Sequence, residues 1–160
     1  MRTELERLEE QLRLSFEGEA WHGPSVLDAL DGVTADVASA HPIAGAHSIW
    51  ELVLHLTNTY RLVLRRLDGD ARPLSADEDW PDVPSPTETN WRTAVDELRR
   101  VNATLRRVVA NFRDDRLDEP VVEQPPYSAY VQFIGTTQHD LYHAGQIVLL
   151  KRAAQSGRRS

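Results

Sequence analysis

His139 and His143 stand four residues apart in the run His139-Asp140-Leu141-Tyr142-His143. On a helix that spacing stacks both imidazoles on one face, where they can share a metal ion. Two exposed or hydrogen-bonded histidines would leave the same pattern, so the neighbouring residues matter. At about 100° per residue, Gln132, His139, His143, Gln146 and Leu150 fall in one row, while Val131, Ile134, Leu141 and Val148 form a second, apolar face. Polar groups beside packing surface point into a pocket rather than bulk water, and helix bundles build metal sites from side chains on facing helices. Asp140 points about 100° away from His139. It reads as a solvated surface acid, or as an acceptor that orients a neighbour. A zinc-protease reading is weaker, because that motif needs Glu directly after the first histidine, where Asp140 is shorter, and no nearby further ligand follows.

A third ligand must come from elsewhere. His55 lies at the edge of a core stripe, beside Ser48, Leu52 and Thr59 on the helical wheel, where it could be a ligand or a packed histidine. His41, before Pro42, and His47 read as loop residues, and His22 is expected at a pocket mouth or in a structural role. There is no cysteine, so a metal must be bound by nitrogen and oxygen, and any reacting thiol must come from another molecule. Trp21, Trp50, Trp80 and Trp91 fit either core positions or the walls of an apolar pocket. Tyr142 and Gln146 are further candidate pocket residues.

The elements that would position these groups are helical. Leu5, Leu8, Leu12 and Phe16 recur at helical spacing and predict a first helix ending near Gly18. A short helix follows over 25–30 with Pro24 at its first position, and Thr34 can cap another turn before His41. Ser48 and Glu51 fit a capping box that opens a second long helix. Its core stripe is Ile49, Leu52, Val53, Leu56, Tyr60, Val63, Leu64 and Leu67, and Asp68-Gly69-Asp70 stops it. The polar, proline-rich segment 72–84 is long for a connection between packed helices, which suits a lid or pocket wall. Ser85-Pro86-Thr87-Glu88 reads as a second capping box, ahead of a helix carrying Trp91, Val95, Leu98, Leu105, Val109 and Phe112. Ser128 can cap a fourth long helix running to about Ala154. No segment alternates like a strand. The architecture expected is all-α: four long helices, with a short helical excursion between the first two, as one domain over 1–155 and a tail over 156–160.

The 160 residues suffice for a single hydrophobic core. A net charge of −7 and no basic cluster beyond Arg158-Arg159 argue against nucleic acid as partner. No segment has the length of a membrane span, and the charged start Met1-Arg2-Thr3-Glu4 has no apolar run of the secretory kind. A cytoplasmic location without membrane attachment is the simplest expectation.

The stretch His47-Ser48-Ile49-Trp50-Glu51-Leu52-Val53-Leu54-His55, followed late in the chain by Gln138-His139-Asp140-Leu141-Tyr142-His143-Ala144-Gly145-Gln146-Ile147, resembles the DinB superfamily. The segment Trp21-His22-Gly23-Pro24-Ser25 is similar to one of its bacterial branches. The resemblance implies a four-helix bundle of the DinB/YfiT-like type, often a homodimer, with a three-histidine metal site. Carried over, the ligands are His55, His139 and His143. Some members of the superfamily are metal-dependent hydrolases, and others are thiol S-transferases using small thiols such as bacillithiol or mycothiol.

Three neutral imidazoles would leave coordination positions open on a divalent ion, and zinc and nickel both suit such a set. A bound low-molecular-weight thiol would lose its proton near neutral pH and attack a small electrophile. Bound water would instead give a hydrolase. A non-catalytic, stress-related metal-binding dimer is the third expectation, with a closed coordination sphere that includes a fourth ligand such as His22. The sequence marks no catalytic residue beyond the metal ligands. One lysine beside many arginines and alanines hints at a GC-rich genome, which would make mycothiol a sensible thiol to test.

Overall fold

The computed structural model describes residues 2–157. Seven α-helices follow one another: α1 (Glu4–Glu17), α2 (Val26–Leu30), α3 (Ala35–Ser39), α4 (Ile49–Leu67), α5 (Ala76–Asp79), α6 (Glu88–Ala110) and α7 (Ala129–Gly157). A 3-10 turn at Asp114–Arg116 lies between the last two. The described residues contain no strand, only two isolated bridges. The four long helices close a ring in which α1 packs on α6, α6 on α4, α4 on α7 and α7 on α1. The short α2 lies against α1 and α7, and α3 against α4, α6 and α7. This is the expected four-helix bundle with its excursion between the first two long helices.

Local chemistry explains most helix starts. Capping boxes at Thr3/Glu6, Ser25/Asp28, Ser48/Glu51 and Ser75/Glu78 open α1, α2, α4 and α5, each satisfying two amides the helix leaves free. Two starts differ from expectation. Ser25, not Pro24, begins α2, because Asp28 returns its carboxylate to the Ser25 amide at 3.0 Å and completes a box. For α6 the cap is Thr87, whose hydroxyl accepts from the Asn90 amide at 3.2 Å. Glu88 does not close a box with Ser85; its carboxylate accepts from the Ala35 amide at 2.9 Å, serving the open end of α3 instead. Thr34 caps α3 as anticipated. Ser128 accepts from the Val131 amide at 3.3 Å ahead of α7. That helix continues through Ser156 to Gly157, and the remainder of the expected tail, including Arg158 and Arg159, lies outside the described residues.

The interior follows the expected stripes on α1, α4 and α6. Leu12, Phe16, Leu52, Leu56, Tyr60, Leu98 and Leu105 are all buried, and Phe16 meets Tyr60 edge-on at 6.2 Å. Trp50 and Trp91 are core residues 5.2 Å apart, and the Trp91 indole donates to the Val33 carbonyl at 2.7 Å.

Helix α7 departs from its predicted face. Val131 is 47% exposed and Ile134, Leu141 and Val148 are only half-buried. The buried side is the mixed face of Ala129, Gln132, Phe133, Thr136, Asp140, His143, Ala144 and Ile147. Polar residues can sit there because each finds a partner. Thr136 donates to the Gln132 carbonyl at 2.8 Å, and Asp140 is met from two other helices, as described below. Among the described residues, no helix is long and apolar enough to cross a membrane.

Candidate metal centre

The capping box at Ser48 sets the rotation of α4, and with it the direction of His55 two turns later. His139 and His143 come from one face of α7. The two helices pack against each other, and the three imidazoles converge. His139 Nε2 lies 3.1 Å from His55 Nε2 and 3.0 Å from His143 Nε2. One ligand atom from each ring lies within 4.8 Å of those of the other two. Two of the three are buried and His139 is half-buried. No fourth side chain of ligand type joins this group among the described residues.

The outer nitrogens fix the chemistry of the inner ones. His55 Nδ1 lies 3.0 Å from the Asp79 carbonyl and 3.0 Å from the Asp79 carboxylate. Both partners only accept, so Nδ1 carries the hydrogen and Nε2 presents its lone pair. His143 Nδ1 likewise faces Gln146 Oε1 at 2.6 Å, leaving its own Nε2 unprotonated. Two lone pairs are thus aimed at His139 Nε2. A proton there can satisfy only one of them, and a proton on Nδ1 leaves three lone pairs facing one another. His139 Nδ1 is itself buried without a partner. A cation at the point of convergence resolves the facing lone pairs, with the His139 proton then on its unpartnered Nδ1. The spacing is close to what a metal needs, since tetrahedral metal–nitrogen bonds of about 2.0–2.1 Å set neighbouring nitrogens roughly 3.3–3.4 Å apart, a few tenths beyond the 3.0 and 3.1 Å found here. The residues therefore fit a divalent ion, and hydrogen bonds to the outer nitrogens are what metal-ligating histidines ordinarily have.

Burial and the neighbouring rings push the proton affinity of His139 and His143 down. His139 falls to about 3, through desolvation and then His143 and His55. His143 falls to about 4, mainly through desolvation, against the opposing effect of its hydrogen bond to Gln146. Both are neutral near pH 7, the state a metal ligand requires.

The cluster opens on a cavity of about 320 Å³ bounded by Ile43, Ala46, Leu52, Leu149 and Leu150, with His47, Tyr142, His143 and Gln146 as its polar members. Trp80 forms one wall. Its indole lies parallel between two imidazoles, 4.1 Å from His55 and 3.6 Å from His47. The segment 72–84 is thus a pocket wall, held by α5 and by the Asn58 amide donating to the Glu78 carbonyl at 2.6 Å.

Several single-residue expectations change. Asp140 is not a surface acid. It is 0% exposed, accepts from the Tyr60 hydroxyl at 2.6 Å and from the Ser15 hydroxyl at 3.0 Å, and burial raises its pKa to about 7. The wheel placed it correctly, 100° from the ligand row, but that direction is the bundle centre. His22 is exposed and borders a hollow with Trp21, Leu14, Thr137 and Leu141, away from the metal cluster. His41 does lie outside the helices, and its ring meets the Glu51 carboxylate at 2.9 Å. His47, also outside them, is nonetheless part of the pocket through its stack on Trp80. Asp79 is the residue that sequence reasoning missed, because no local spacing signals a contact 24 positions away.

The family model described as the DinB superfamily matches residues 21–147. A solved structure described as the conserved protein of locus from Enterococcus faecalis is similar to this chain at 14% identity, with a TM-score of 0.67. The match covers 98% of this chain and 99% of that one, and at that identity it speaks for the fold. No curated protein matches the sequence.

Proposed function

We propose that this chain, which belongs to the DinB superfamily, is a metal-dependent enzyme whose ligands are His55, His139 and His143. It would transfer a low-molecular-weight thiol to a small electrophile. The observation that carries this reading is the convergence of three imidazole nitrogens at the wall of an apolar cavity, with no fourth protein ligand among the described residues. A structural metal site is normally closed by four protein ligands, whereas a catalytic one keeps a position for a reactant. The histidine offered as a fourth ligand, His22, borders a different hollow.

A bound divalent ion, zinc or nickel, would act as a Lewis acid that makes a thiol, or water, lose its proton near neutral pH. The protein supplies the rest. Asp79 and Gln146 orient two of the imidazoles. Trp80, Ile43, Leu149 and Leu150 hold the apolar part of the electrophile and exclude water. In the transfer, the sulfur–carbon bond forms as the bond from that carbon to its leaving group breaks, and the thiol proton passes to solvent. The absence of cysteine from the chain means that no protein thiol competes for the ion.

Elemental analysis of protein purified without an affinity tag tests this reading. About one divalent ion per chain is expected, lost or much reduced in each of His55→Ala, His139→Ala and His143→Ala. Loaded protein should then consume mycothiol or bacillithiol in the presence of an alkylating electrophile. Turnover of an ester or amide without thiol would move the assignment to hydrolysis. A native protein that takes up neither zinc nor nickel on titration sinks the catalytic reading.

A further inference from the structure

A second cavity, of about 230 Å³, meets the cluster from another side. Its lining includes His139 but neither His55 nor His143, and it runs between α4 and α7 past Thr59, Gly135 and Gln132 to Arg66. Its character differs from that of the Trp80 cavity, because a guanidinium stands at its far end. Four arginines are half-buried among the described residues. Arg13 faces Glu10, Arg65 faces Glu78, and Arg106 faces Glu9 and Glu17. Arg66 has no carboxylate partner. Its Nη1 donates to Gln132 Oε1 at 3.3 Å, and its Nε is buried with no partner at all. Gln132 is only 6% exposed, so the guanidinium is held by a side chain that is itself fixed. A half-buried guanidinium at the end of a cavity, lending one donor to an amide oxygen and none to a carboxylate, is a site for an anion, and the planar fork of arginine suits a carboxylate.

We propose that Arg66 binds a carboxylate of the thiol co-substrate, whose sulfur end reaches the cluster at His139, while the apolar electrophile occupies the Trp80 cavity. This deepens the S-transferase reading and rests on it for the identity of the ligand as a thiol; of the two thiols named above it selects bacillithiol, which carries carboxylates, over mycothiol, which carries none. The division follows from one charged group: both cavities are walled mostly by apolar side chains, here Leu62, Val63 and Val131, but this one ends on a cation, which places the anionic partner here and the apolar electrophile in the other. Length is specified too. Gln132 precedes His139 by seven residues, about 10 Å along a helix, so the thiol must carry its carboxylate on the order of 10 Å from sulfur. Gly135 lies between them, with nothing within 4 Å of where a Cβ would stand. A long side chain at that position would enter the open space.

The test is a ligand-observed NMR titration of the full chain loaded with zinc, using 8-mercaptooctanoate, its carboxamide, and 3-mercaptopropionate as a carboxylate too short to span. The expected result is binding of the long carboxylate about tenfold tighter than its amide, the worth of one charge-assisted contact, with no such advantage for the short acid. The preference should vanish in Arg66→Gln and largely survive in Arg66→Lys. Gly135→Leu, which leaves the guanidinium in place, should weaken the long acid severalfold by filling the passage. Equal binding of acid and amide by the native chain overturns the proposal, as does a preference that persists in Arg66→Gln. Octanoate against octanamide, on metal-free protein, separates the two readings. A preference there that depends on Arg66, in a protein that takes up no metal, removes the thiol reading and leaves the anion site standing. Metal uptake without any carboxylate preference removes Arg66 alone.

Discussion

At the scale of single residues, most of the buried polar groups in and around the site are held by partners, the bare His139 Nδ1 excepted. Asp140 is the clearest case. It sits between two candidate ligands in sequence, yet it points into the bundle and receives hydrogen bonds from Tyr60 on α4 and Ser15 on α1. Tyr60→Phe removes one of its two donors at almost no change in volume. The expected cost is about 1–3 kcal/mol, the penalty for an under-satisfied buried acceptor, seen as a lower midpoint in urea with an unchanged slope. If the midpoint stays put, the carboxylate has found another donor. The histidines make a second prediction, for protein stripped of metal by a chelator. His139 and His143 are depressed in the fold to about 3 and about 4, so the unfolded chain binds protons on both from about pH 6.5 downward while the folded chain does not. Asp140 works in the opposite sense, since its raised pKa lets the folded state keep a proton that the unfolded one has lost. Two protons outweigh one, and stability should decline as pH falls from about 6.5 toward 4. Denaturant midpoints that rise over that interval would contradict these protonation states.

At the scale of elements, the bundle is a set of capped helices whose rotations place the ligands. Ser48 and Glu51 bind each other's backbone amides at 2.5 and 3.2 Å, and this start fixes which face of α4 carries His55. Ser48→Ala should cost about 1 kcal/mol of stability, read from chemical denaturation, and loosen metal affinity through His55. A stable variant with unchanged affinity would show that packing alone orients α4. The capping box at Ser48 rests on local spacing and was legible as a helix start in the sequence; α2 was legible too, but with Pro24 at its first helical position, which Val26 takes behind the Ser25 cap. The Thr87 start was misread because Glu88 serves the Ala35 amide, a partner 53 residues away. Likewise α5 was legible only as a long loop. What makes it part of the site is Trp80 lying flat between His47 and His55, and no periodicity in the sequence encodes that.

At the scale of the whole molecule, one ion held by α4 and α7 would link two neighbouring members of a closed ring of four helices, so metal binding should be visible in global unfolding. Zinc at a hundredfold excess over its dissociation constant is expected to add about 2.7 kcal/mol of stability, raising Tm, with the gain abolished by chelator and absent in His139→Ala. A thermal transition indifferent to zinc, nickel and chelator alike would leave the cluster as packing. The sequence by itself determined the all-α class, the four long helices, and the pair His139 and His143 on one face. Those features depend on spacing along a single helix, and helical periodicity is a local property. It also pointed to His55 as the third member of the cluster, through the resemblance of two separated segments to a family. Only the tertiary structure decided that Asp140 is buried, that Asp79 and Trp80 belong to the site, and that Arg66 faces a cavity with no carboxylate. Each of those facts is a relation between helices, set by how the ring closes. The half-polar face of α7 points inward only because Tyr60 and Ser15 arrive from other helices to meet it.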